Sequence, residues 1–118
     1  MANSKHILIT RACEYIDQNL EKKITLTDLV NYTKYSERSI QLIFKKHLKL
    51  SPFEYIEEQR LLKAFKLIET HKKHKTVSHI ARDVGLIHLG RFSVKFKKRF
   101  GVSPSDLSKA SKLLTLNK

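Results

Sequence analysis

Tryptophan is absent from the 118 residues, and there are only one cysteine, three glycines and two prolines. A single cysteine excludes an intrachain disulfide framework and fits a reducing compartment. The shortage of glycine and proline leaves the chain poor in loop formers. No apolar run approaches the roughly 18 residues that a membrane span needs. Met1 to Lys5 lacks the charged-then-apolar layout of a signal peptide. Acids are also scarce: 11 Asp and Glu stand against 24 Lys and Arg, giving a formal net charge of +13. That imbalance favours a polyanionic partner, nucleic acid first and an anionic membrane surface second.

What the chain does contain is a duplicated segment. Ile43-Phe44-Lys45-Lys46-His47-Leu48-Lys49-Leu50-Ser51-Pro52 has a second copy in Lys95-Phe96-Lys97-Lys98-Arg99-Phe100-Gly101-Val102-Ser103-Pro104. Phe44 recurs as Phe96, 52 positions on. In each copy a cationic helix end is followed by Ser-Pro and an acid three residues after the Ser, Glu54 or Asp106. Ser as N-cap, Pro at the first helical position and an acid in the first turn make a helix start. A unit of about 50 residues is used twice.

Apolar spacing of three and four residues predicts an all-α protein of about seven helices. The first helix covers 7–20, with Ile9, Cys13, Ile16 and Leu20 as its core stripe. A short second helix, 26–33, is capped by Thr25 with Asp28. After the turn Lys34-Tyr35-Ser36, a third helix runs over 36–48 with Ile40, Ile43, Phe44 and Leu48 inward. Its outer face carries Arg38, Gln41, Leu42, Lys45 and Lys49, the pattern of a helix-turn-helix. The longest helix, 52–70, is apolar around much of its circumference (Tyr55, Ile56, Leu61, Leu62, Ala64, Phe65, Leu67, Ile68). It is expected to connect the two copies and pack on both. His71 to Lys75 is a polar break. Thr76 caps a fifth helix to Val84, with Val77, Ile80, Ala81 and Val84 inward and Gly85 as stop. A sixth helix covers 88–100 with Leu89, Phe92, Phe96 and Phe100 inward, and a short last one runs from Ser103-Pro104 to Lys109. The expected organisation is a first helix-turn-helix subdomain at 1–51, a linker helix at 52–70, a second subdomain at 71–109 and a flexible tail at 110–118.

Charge placement selects the candidate interface. There is no acid from Arg38 to Phe53, from Thr70 to Arg82 or from Val84 to Ser105, and each window holds several cations. One cationic run is usually a solvated surface; three, two of them on the outer faces of the second helix of each pair, indicate DNA. Helices 36–48 and 88–100 would read two adjacent major-groove segments, ~34 Å apart on one face of B-DNA. The linker of roughly 28 Å can set that spacing if the two helices project the same way. A monomer would then cover about two helical turns of double-stranded DNA.

The base-reading candidates are Arg38, Gln41, Leu42, Arg91 and Val94. Arg suits guanine, Gln suits adenine, and an apolar side chain suits the thymine methyl. Leu42 could equally be extra core. Position by position, Arg38, Gln41, Leu42 and Lys45 correspond to Gly90, Ser93, Val94 and Lys97, so the first copy should discriminate bases more strongly. The phosphate candidates are Ser36, Lys45, Lys46, His88, Ser93, Lys95, Lys97 and Lys98, with His88 alternatively a cap. Cys13 reads as a small buried apolar residue. His71, His74 and His79 have some metal-like spacing, but Lys72, Lys73 and Lys75 would repel a cation. No nucleophile–base–orienter set is apparent, so neither an enzyme nor a cofactor is expected. The competing readings are an architectural or RNA-binding basic module, and a membrane-surface protein that gains helix on anionic vesicles.

The sequence resembles the DNA-binding domain of the AraC/XylS transcription regulators. The likeness is carried by Ser51-Pro52-Phe53-Glu54-Tyr55-Ile56, Arg60-Leu61, Ala64, Leu67 and Ile68. It continues in Ile80-Ala81, Gly85-Leu86, His88-Leu89-Gly90-Arg91-Phe92-Ser93, Phe96-Lys97, Phe100-Gly101 and Ser103-Pro104-Ser105. It spans about residues 7 to 108. The resemblance implies a bacterial, cytoplasmic, nucleoid-associated regulator with two helix-turn-helix motifs on a linker helix, usually an activator recruiting RNA polymerase. Lys34 and Lys49 stand where the family often has Gly, and Leu86 where it often has Phe. Most members also carry an effector-binding domain, so a stand-alone regulator and a C-terminal domain are both compatible with these residues.

Overall fold

The structure is a computed structural model, and it describes residues 4–70, 76–86 and 88–116. Among these, all regular structure is helical: α1 (Ser4–Gln18), α2 (Leu26–Thr33), α3 (Glu37–Leu48), α4 (Pro52–Thr70), α5 (Val77–Asp83), α6 (Leu89–Phe100) and α7 (Pro104–Leu116). The polar break at His71–Lys75, with its lysines and two of the histidines, lies outside the described residues.

Helix starts follow local chemistry. Thr25 and Asp28 form a reciprocal capping box: the Asp28 N–H donates to Thr25 Oγ1 at 3.1 Å, and the Thr25 N–H donates to the Asp28 carboxylate at 2.9 Å. Ser51 and Glu54 do the same for α4: the Glu54 N–H donates to Ser51 Oγ at 3.1 Å, and the Ser51 N–H donates to the Glu54 carboxylate at 2.8 Å. Ser36, Thr76 and Ser103 each accept one N–H from the residue three positions on. Each such cap contributes about 1 kcal/mol to its helix. Left-handed residues end the helices: Lys34 (φ 68°) after α2, Lys49 (φ 62°) after α3 and Gly101 (φ 77°) after α6, with Gly85 (φ 88°) closing the turn after α5. Lys34 and Lys49 therefore adopt the backbone that glycine would take more cheaply.

The chain divides into two compact units, Met1–Gln59 and Arg60–Lys118, and the division falls inside α4. In the first unit Leu8, Ala12, Ile16, Leu20, Ile24, Leu29, Ile40, Phe44 and Ile56 form the core. The stripe of α1 thus centres on Leu8, Ala12 and Ile16; Ile9 and Cys13, expected at its centre, are half-buried beside it. Both stripes share Ile16 and Leu20, and packing against α2 and α3 selects the one that the small Ala12 can bring closest. In the second unit Leu61, Ala64, Ile68, Ile80, Ala81, Val84, Phe92 and Phe96 form the core. Phe65, Phe92, Phe96 and Phe100 make a chain of rings with centroids 4.7–6.0 Å apart. The two ends of α4 serve the two cores separately, Tyr55 and Ile56 in one and Leu61 through Ile68 in the other, while Leu62 is 39% exposed.

Two further departures have simple causes. α7 continues to Leu116 rather than ending near Lys109 and leaving a tail from 110, because no Gly or Pro interrupts it and Ser111, one turn after Leu107, is buried. Leu89 is 43% exposed rather than inward. At the first position of α6 it lies at the rim of an open recess of about 190 Å³ that it shares with Ser78, Ala81, Arg82 and Leu86.

Candidate nucleic-acid interface

The outer faces of α3 and α6 are defined by what their opposite faces bury. In α3, Ile40 and Phe44 are fully buried, while Ile43 and Leu48 pack partly against the same core. That registration leaves Arg38, Gln41, Leu42, Lys45, Lys46 and Lys49 exposed. Leu42 is 57% exposed, so it belongs to the outer face and not to the core. In α6, burial of Phe92 and Phe96 leaves Arg91, Val94, Lys95, Lys97 and Lys98 exposed, with Val94 at 70% and Ser93 half-buried at the edge. The last turns hold Lys45, Lys46 and His47 in α3 and Lys97, Lys98 and Arg99 in α6, where cations also favour the helix dipole.

Each start of these helices has its own chemistry. Ser36 is exposed, but its hydroxyl is engaged: Oγ accepts the Ser39 N–H at 3.2 Å and lies 3.0 Å from Ser39 Oγ. His88 occupies the N-cap of α6 and makes no side-chain cap bond, which leaves its exposed imidazole facing outward and removes the capping role. Position 37 was not among the residues singled out by sequence. There Glu37 opens α3 as an exposed acid, and its isolation among cations was the available signal. At the other end Lys49 folds back, its Nζ donating to the Lys46 carbonyl at 3.3 Å.

Among the described residues, side chains away from these faces carry no comparable chemistry. Burial holds the Cys13 thiol pKa up, with a bond to Tyr55 acting against it and Asp17 adding to it. Tyr55 is pushed above the ordinary phenol range by the same burial and by Cys13. A thiol held protonated is a packing group and a poor nucleophile. No cluster of three or more His, Cys, Asp or Glu suited to a metal occurs among the described residues, of which His79 is one and His71 and His74 are not. No described helix is long and apolar enough to cross a membrane. The aromatic rings of α3 and α6 point into the cores, so neither outer face is a stacking platform for bases.

Fold and faces together define a tandem helix-turn-helix module of the DNA-binding kind. Residues 29–110 match the family described as "Helix-turn-helix domain". In solved structures, a probable AraC family transcriptional regulator from Rhodopseudomonas palustris superposes with a TM-score of 0.81 at 28% identity, covering 88% of this chain and 96% of that one. The C-terminal domain of AraT, a response regulator from Geobacillus stearothermophilus, gives 0.76 at 26% identity over 87% and 84%. Among sequences, a response regulatory protein of Staphylococcus epidermidis is 35% identical over 104 residues, which are 88% of this chain and 40% of that protein. The XylDLEGF operon transcriptional activator 2 of Pseudomonas putida is 31% identical over 97 residues, 81% of this chain and 62% of that protein. The chain belongs to the AraC/XylS family and is a DNA-binding domain of its transcription regulators. It spans less than two thirds of the length of these two relatives.

Proposed function

We propose that the chain binds double-stranded DNA sequence-specifically, with α3 and α6 reading two adjacent major-groove segments of one duplex, and that it serves a transcription activator. One observation carries this: in both units the helix face opposite the buried Ile40/Phe44 or Phe92/Phe96 pair is cationic and carries groups able to contact base edges. On α3, Arg38 pairs with guanine O6 and N7, Gln41 with adenine N6 and N7, and Leu42 meets a thymine methyl. On α6, Arg91 and Val94 take the base-reading positions. Ser36, Lys45, Lys46, His88, Ser93, Lys95, Lys97 and Lys98 contact phosphates and set register, supplying affinity without sequence choice. Five of these are lysines, so log K should fall with log salt at a slope of about −4.5.

The chain binds as a monomer over about two helical turns, in the bacterial cytoplasm at the nucleoid, and the activator works with RNA polymerase. The Pseudomonas putida relative is named as an operon transcriptional activator, which supports the direction of regulation. Selection of bound duplexes from random DNA at stated salt tests the proposal. An asymmetric preferred site of about two turns is expected. Retention of all duplexes alike would replace it with charge-held, unspecific binding.

A further inference from the structure

We infer that Glu37 is a specificity-determining residue, whose carboxylate selects a base pair presenting a major-groove amino group, cytosine foremost, at the base step facing the start of α3. This rests on the assignment of α3 as a reading helix. Glu37 is the first residue of a 12-residue helix, is exposed, and lies one turn before Gln41 on the same ridge and next to Arg38. It is the sole acid between Asp28 and Glu54, a stretch that also holds Lys34, Arg38, Lys45, Lys46 and Lys49.

Helix formation does not demand this acid. α3 is already capped by Ser36, whose Oγ accepts the Ser39 N–H at 3.2 Å. The second reading helix has no acid in its first turn, and the corresponding position there is Leu89. A carboxylate carried between two phosphate strands is repelled by every duplex. The repulsion is offset only where the carboxylate accepts a hydrogen bond from a base, and in the major groove cytosine N4 is the donor such a group takes. A C·G pair also offers guanine O6 and N7, so the adjacent Arg38 finds its own partner at the same or the next step. Glu37 therefore acts by exclusion: it lowers affinity for DNA in general and restores it at a cytosine.

The test uses the full chain with Glu37→Gln and Glu37→Ala, binding being titrated on the selected duplex, its single-position variants and unrelated DNA, alongside thermal melting. The expected result is loss of about tenfold cytosine preference at one position. Affinity for unrelated DNA should rise severalfold, with every other position unchanged. Unchanged preferences together with a lowered Tm would overturn the inference and leave Glu37 as a helix-start charge. Arg38→Ala separates the two levels. If it broadens selectivity while the Glu37 variants do not, only this inference fails; if none of the three alters selectivity, the assignment of α3 as a reading helix fails with it.

Discussion

Lys34 and Lys49 in the first unit stand where Gly85 and Gly101 stand in the second, and all four take the left-handed backbone. The same duplicated unit thus ends its helices with the costly residue on one side and the cheap one on the other. The cores differ in the opposite sense. Ile40, Phe44 and Leu48 of α3 correspond to three phenylalanines of α6, Phe92, Phe96 and Phe100. The outer faces differ as well: Arg38 and Gln41 have only Gly90 and Ser93 as counterparts. The first unit therefore carries richer hydrogen-bonding groups on its exposed helix face and a more strained frame, and the second carries plainer groups on a frame with more aromatic packing.

The largest expected effect tests the cores. Phe96→Ala should cost about 3–5 kcal/mol by chemical denaturation, with Phe44→Ala at the lower end of that range. Phe96 touches the rings of Phe65, Phe92 and Phe100, whereas Phe44 has Tyr55 at 5.8 Å. Equal losses would mean that the ring chain adds nothing beyond burial. Next come the proposed reading faces. Arg38→Ala and Gln41→Ala should each cost about 1–3 kcal/mol at the cognate site and relax base preference, and Ser93→Ala should cost less. The reverse order in binding titrations would exchange the roles of the two units.

Smaller still is the backbone contrast. Lys34→Gly and Lys49→Gly should each stabilise the protein by about 1 kcal/mol in thermal melts, while Gly101→Ala should destabilise it by a similar amount. A Cβ at Gly101 meets nothing within 4 Å, so that loss would be purely conformational. The smallest effect is at Glu54, whose carboxyl is held below the usual range chiefly by the Ser51 backbone N–H. Its contribution is present above the unfolded carboxylate pKa of about 4.3 and disappears as pH falls through the lower folded value. Glu54→Gln should flatten that part of the stability–pH curve.

Helix starts were legible because Thr25, Ser36, Ser51, Thr76 and Ser103 act within three residues of themselves, and the family likeness fixed their order. Orientation was less legible. On α1, Ile9 and Cys13 looked as apolar as Leu8 and Ala12, and only packing separates the two stripes. Leu89 is apolar yet sits at a helix start, in an open recess at the edge of the core, and Leu42 could not be assigned to core or surface without the burial of Ile40 and Phe44. The length of α7 turned on the burial of Ser111, a polar residue that hydropathy counts as surface. On α3 and α6 charge was read easily because cations dominate; the one acid there, Glu37, stood out less for the same reason.

The central claim is that both outer faces enter the groove of one duplex. Methylation interference at guanine N7 on the selected site tests it most directly, because that atom lies in the major groove. Interference in two segments about one helical turn apart is predicted. Interference confined to a single segment would contradict the account.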